Sequence, residues 1–120
     1  MGEIITARAK VIEIPDRLGE FKRVEQSFWE VDDNPKMPMI AVYSKEVKQG
    51  RPVELIIYEL KKELITDTFL SSVLREAKRY FVILQRSLFD YKKIYESDDL
   101  ETVFRFLKAM TEVFSITKRM

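Results

Sequence analysis

From Leu70 to Tyr95 the apolar residues recur in alternating steps of four and three: Leu70, Leu74, Ala77, Phe81, Leu84, Leu88, Tyr91 and Tyr95. That spacing keeps one stripe on one side of an α-helix, and it predicts ~39 Å of helix at a rise of 1.5 Å per residue. No Pro or Gly interrupts the stretch, and Thr66, Asp67 or Thr68 offers an oxygen for the N-cap. Phe69, Val73, Tyr80, Ile83 and Ile94 widen the apolar side. Ser97-Asp98-Asp99 then stops the helix and starts another, with Asp98 and Glu101 at capping-box spacing. In the second helix Leu100, Val103, Leu107, Met110 and Phe114 follow at steps of three and four. Two helices joined by so short a break predict an αα-hairpin.

The first half of the chain has a different period. Ile5, Ala7, Ala9 and Val11 alternate with polar residues, as in a half-buried strand, and the phase switches at Ile12–Ile14, which implies a bulge. Pro15-Asp16-Arg17-Leu18-Gly19 reads as a turn. A second strand is expected from Phe21 to Val31, a third from Met39 to Val47, and a fourth from Val53, after the Lys48-Gln49-Gly50-Arg51-Pro52 turn. Short connections favour an antiparallel meander. The expected fold is one α+β domain over residues 1–120. Residues 1–65 would form a four-stranded antiparallel sheet, and residues 66–120 two long C-terminal helices packed as a hairpin on one sheet face.

Composition narrows the chemistry. The 120 residues contain no Cys and no His, and the net charge is +1. Disulfides, thiolate ligands and the commonest general base and metal ligand are therefore missing. The three glycines, Gly2, Gly19 and Gly50, are isolated, so no phosphate-cradling loop exists. Asp32-Asp33 and Asp98-Asp99 read as turn and cap residues, with no third ligand spaced to help them hold a metal. Ser71-Ser72 with Lys78 lacks an oxyanion loop. The expectation is a non-enzyme with no cofactor and no metal. No apolar run reaches the length of a membrane span, and the N-terminus has no signal-peptide pattern, so a cytoplasmic protein is expected. Scarce amides (Asn34, Gln26, Gln49, Gln85) beside abundant Glu, Lys and Arg suggest a thermophile.

A binding role remains. Single-stranded nucleic acid needs aromatic platforms for bases and Lys or Arg along the phosphates. Alternation sets Phe21, Arg23, Glu25, Ser27, Trp29 and Val31 on one face of the second strand, and Lys22, Val24, Gln26, Phe28 and Glu30 on the other. The third strand sets Met39, Ala41, Tyr43 and Lys45 against Ile40, Val42 and Ser44. The expected site has Trp29 and Tyr43 as platforms, joined by Phe28 or Tyr58. Arg23, Lys45, Lys48 and Arg51 would contact phosphates. Arg75, Lys78, Arg79, Arg86, Lys92 and Lys93 supply a second basic element. A homodimer is expected through the helical seam at Leu70, Leu74, Phe81, Leu84 and Leu88. The alternative is an interaction or scaffold subunit that docks another protein through the C-terminal helices, of viral or mobile-element origin. No diagnostic family motif is present. In element order alone, strands followed by a helical dimerisation element, the chain resembles the archaeal ThermoDBP single-strand binders and the positive-cofactor type of ssDNA-binding dimers. That resemblance transfers no site residue.

Overall fold

The stretch expected to form the long helix is, for most of its length, a pair of strands. The computed structural model describes the backbone of residues 3–7, 10–24 and 36–119, and the side-chain surroundings of residues 12–24 and 36–112. Within them the order is β1 (Glu3–Ala7), β2 (Lys10–Ile14), β3 (Arg17–Leu18), β4 (Phe21–Arg23), β5 (Met39–Lys45), β6 (Val53–Glu59), a 3-10 turn (Lys62–Leu64), α1 (Thr68–Val73), β7 (Tyr80–Gln85), β8 (Tyr91–Ser97) and α2 (Leu100–Arg119). β1 and β2 form a two-stranded sheet, and β3 to β8 form a six-stranded sheet in chain order. Every pairing is antiparallel.

This corrects the expected four-stranded sheet with an αα-hairpin: the sheet has six strands, and a single C-terminal helix follows it. The physical reason lies in Tyr80-Phe81-Val82-Ile83-Leu84. A surface helix needs polar residues on its outer side in every turn, whereas this run has none. It suits a strand with neighbours on both sides and side chains packed on both faces. Steps of four and three are trivially satisfied wherever an apolar run is unbroken. α1 survives only as Thr68–Val73, with Asp67 as its N-cap accepting from Leu70 N at 2.9 Å. The phase switch at Ile12 is also reassigned. Ala7 pairs with Lys10, so the chain has already reversed into a hairpin before Ile12 is reached.

Directly opposed residues share a sheet face. One row runs Arg23, Tyr43, Leu55, Leu84 and Lys92, and another runs Ala41, Ile57, Val82 and Tyr95. α2 covers this face. Its Leu100, Val103, Phe104 and Leu107 pack with Tyr43, Leu55, Ile57, Tyr80 and Val82, and Ile12, Ile14 and Leu18 close the cluster. Leu100, Val103 and Leu107, anticipated at helical spacing, are all buried. Each such side chain contributes about 1.5–3 kcal/mol when fully removed from water. Asp99 caps α2: its backbone oxygen accepts from Val103 N at 3.2 Å, and its Oδ2 from Thr102 Oγ1 at 2.7 Å. Asp98 instead joins α2 to the start of β7, accepting from Arg79 N at 2.9 Å and pairing with Lys78 at 3.5 Å.

The far part of α2 meets the β3–β4 turn. Gly19 has φ +60°, and a Cβ placed there would lie 2.8 Å from Thr111 Cβ. Only glycine accepts both the left-handed backbone and the close approach. Thr111 is buried, and its hydroxyl donates back to Leu107 O at 2.8 Å. The opposite, outer face carries Lys22, Ser44, Glu54, Gln85 and Tyr91 in one row and Val42, Ile56, Ile83 and Lys93 in the next.

Candidate nucleic-acid interface

Alternation placed Ala41, Tyr43 and Lys45 together on one face of β5, but an irregularity between Met39 and Ala41 puts Met39 with Tyr58 on the other. Residues 25–31 of the expected second strand lie outside the described residues, and the face expected to be free is the one α2 covers. Tyr43 has no exposed surface. Its hydroxyl donates to Pro15 O at 2.6 Å, and its ring meets Phe104 edge-on at 6.4 Å. Burial pushes the phenol well above its ordinary pKa of 10.0. A ring held this way fastens β5 to the β2–β3 connection and offers no face to a base. Arg23, in the same row, pairs with Asp16 at 3.2 Å, and Lys45 pairs with Glu20 at 2.7 Å. Both cations are thus engaged within the fold. Trp29 and Phe28 lie outside the described residues. Tyr58 is half-buried on the outer face and stacks on Phe81, with ring centroids 5.3 Å apart and planes 19° apart.

The five residues of the expected dimer seam do not form one stripe. Leu70 is exposed on α1, and Leu74 is half-buried just beyond it. Phe81 sits opposite Tyr58 on the outer face, while Leu84 sits opposite Leu55 on the helix-covered face. Leu88 lies at the tip of the β7–β8 turn. A strand sends Phe81 and Leu84 to opposite faces because their separation is odd.

Lys48 and Arg51 are exposed in the β5–β6 connection, where Gly50 takes φ 96°. In a meander that connection and the β7–β8 turn emerge at the same end of the sheet, just beyond the Glu54–Gln85 pair. The β3–β4 turn emerges there too. The β7–β8 turn is tied by its own atoms: Arg86 N donates to Asp90 O at 2.8 Å, and Asp90 N donates to Ser87 Oγ at 3.2 Å. Leu88 and Phe89 occupy its apex, so nothing in the strands can cover them. Phe89 is 93% exposed and Tyr91 62%. Arg86 and Lys92 flank them, also exposed. Lys48, Arg86 and Lys92 make no ion pair among the described residues. Three exposed acids share this end: Glu20, paired with Lys45, Glu46 and Asp90.

Glu54 lies in the outer-face row between Ser44 and Gln85. Burial raises its pKa above the ordinary 4.5, and the nearby Arg51 pulls it part of the way back. Phe89 was not anticipated as a site residue, and Tyr91, Arg86 and Lys92 had been placed on a helix. The signal that could have found them is a Ser-Leu-Phe-Asp tetrapeptide between two runs rich in aromatic and β-branched residues.

Among the described residues no group of three or more Asp, Glu, His or Cys side chains could hold a metal ion. No described helix is long and apolar enough to cross a membrane. Comparison with protein-family models, with curated proteins and with solved structures finds no match to this chain.

Proposed function

We propose that this chain is a non-catalytic module that binds single-stranded nucleic acid at the hairpin-tip end of its six-stranded sheet. The observation that supports the reading is the pair of exposed aromatics, Phe89 and Tyr91, at the same end of the sheet as the exposed cations Lys48, Arg51, Arg86 and Lys92, the last on the opposite face of β8 from Tyr91. Exposed rings stack on bases of any sequence, and cations around them track the phosphates. Lys48 and Arg51 keep the role expected of them. Phe89 and Tyr91 take the place of Tyr43 as platforms, because Tyr43 belongs to the core.

The test is a fluorescence-anisotropy titration with a labelled mixed-sequence oligonucleotide at low salt and again at ~200 mM salt, where phosphate-driven binding weakens steeply. Saturable binding that fades with salt supports the reading. Absence of binding at low salt removes it.

Glu54 makes the interaction pH-dependent. It lies at the same end of the sheet as the proposed phosphate contacts, with Arg51 nearby, so protonating it is expected to strengthen binding as the pH falls towards its raised pKa. Glu54→Gln is expected to tighten binding several-fold at neutral pH and to remove that acid dependence. The sign for folding agrees. A carboxyl whose pKa is raised in the folded state favours folding below its unfolded value near 4.5, and this advantage is lost as the pH rises through the folded value. Glu54→Gln is therefore also expected to be slightly more stable than the parent at neutral pH and no more stable under strongly acidic conditions. Anisotropy titrations and urea unfolding from pH 4 to 8 check both signs.

A second reading is favoured by α1, where Phe69 and Val73 are 75% and 60% exposed beside Leu70. Apolar side chains grouped in this way mark association with a polypeptide, a second copy of the chain included. Light scattering coupled to gel filtration tests the dimer: twice the chain mass supports it, and a single-chain mass across all concentrations excludes it.

A further inference from the structure

The connection from β6 to β7 folds back on itself at the other end of the sheet. Leu60 N donates to Arg79 O at 2.6 Å, and Arg79 pairs with Glu59 at 2.6 Å, closing the connection at its base. Between the 3-10 turn and α1 a crevice of about 490 Å³ opens, whose polar lining is Lys62, Thr66, Thr68, Ser71, Ser72 and Arg75, with Ile65 and Leu74 as its apolar part. Four hydroxyls and two permanent cations meet there, and no carboxylate is among the lining residues. Three acids adjoin the lining in sequence: Asp67 turns its Oδ1 to Leu70 N at 2.9 Å and caps α1, Glu63 pairs with Arg79 at 3.5 Å, and Glu76 is exposed beside Arg75. Lys62 Nζ donates to Arg75 O at 3.1 Å, which pins the ammonium to the wall that bears the guanidinium. Arg75 itself is exposed, and its side chain makes no ion pair among the described residues.

Every charged group of the lining is a donor, and the hydroxyls rotate to donate or accept. A metal cation would find no anionic ligand here, and an apolar ligand would leave the Lys and Arg groups without hydration or partners. A tetrahedral oxyanion satisfies them. Its oxygens accept charge-assisted bonds from the ammonium and the planar guanidinium, and hydroxyls complete the shell. We propose that this crevice is a binding site for a phosphate group, carried by a small phosphomonoester or free in solution. The assignment is independent of the oligonucleotide site, which lies at the opposite end of the strands.

The experiment is a titration of the full ¹⁵N-labelled chain with inorganic phosphate, then with phenyl phosphate, each matched in ionic strength by sodium chloride. The expected result is saturable shifts confined to the amides of residues 62–75. Arg75→Gln is expected to weaken binding by about tenfold or more, the worth of one hydrogen bond to a charged group. Ser72→Glu, which places a carboxylate in the crevice, is expected to abolish it. Tighter binding of phenyl phosphate than of phosphate assigns the site to a phosphomonoester; equal binding assigns it to the free ion. Lys48→Ala/Arg51→Ala is expected to bind phosphate like the parent, which separates this site from the one proposed above. Shifts that chloride reproduces, shifts scattered over the surface, or undiminished binding by Arg75→Gln would overturn the assignment.

Discussion

Leu107→Ala is expected to lower the free energy of unfolding by about 3 kcal/mol, within the ~2–5 kcal/mol range of buried leucine truncations. Leu107 has no exposed surface and sits in the middle of the contact between α2 and the sheet. Its loss removes transfer energy and leaves a cavity that the surrounding strands cannot collapse to fill. In a chain of this size the melting temperature falls by about 10 °C. The informative comparison is Leu88→Ala. Leu88 is 65% exposed at the apex of a turn, so its truncation changes stability by no more than about 0.5 kcal/mol. In the helical hairpin suggested by periodicity, both leucines belong to apolar seams and both truncations are costly. Urea unfolding of the two variants therefore distinguishes the two folds. Equal losses would contradict the six-stranded sheet.

Phe89→Ala is the counterpart at the proposed interface, with a large effect on binding and almost none on folding. Base–aromatic stacking is worth about 1–3 kcal/mol per base, which corresponds to a loss of about 5- to 150-fold in oligonucleotide affinity. Because the ring is 93% exposed, the melting temperature should not move. The turn that carries it closes through backbone atoms of Arg86 and Asp90 and the Ser87 hydroxyl. Removing the Phe89 side chain leaves those bonds in place. Unchanged affinity in Phe89→Ala would remove the stacking platform from the proposal. A lowered melting temperature would instead show that the ring packs within the fold.

Local signals were enough to locate some elements. β5 and β6 are legible from Met39 and Val53 onward, because Gly50 and Pro52 punctuate the boundary between them. α2 is legible from the Ser97-Asp98-Asp99 cluster and the spacing of Leu100, Val103 and Leu107, although the capping-box spacing pointed to Asp98 and the cap is Asp99. β7 and β8 are not, because their turn has no Gly or Pro and closes through Ser87 and Asp90, residues equally at home on a helix surface. An unbroken apolar run such as Tyr80–Leu84 fits either period, and only pairing with β6 decides between them. The choice of free face failed for a tertiary reason. Each face of β5 and its neighbours offered an aromatic and a cation, so alternation could sort Tyr43 from Ser44 without saying which side α2 would cover. Tyr43's buried hydroxyl finds Pro15 O only because the chain between β2 and β3 crosses that face. Lys48 and Arg51 were legible as exposed because a turn leaves its side chains in water. Phe89 was hidden for as long as its segment read as a helix.

The most direct test of the account is the salt dependence of oligonucleotide affinity for the parent chain and for Lys48→Ala/Arg51→Ala. On single strands each neutralised phosphate contributes about 0.7 to the slope of log K against log salt. The account predicts saturable binding by the parent and a slope smaller by about 1.4 in the double variant, with melting temperatures unchanged because both side chains are exposed. Identical slopes for the two proteins, or no binding by the parent at low salt, would contradict a phosphate track at the hairpin-tip end of the sheet.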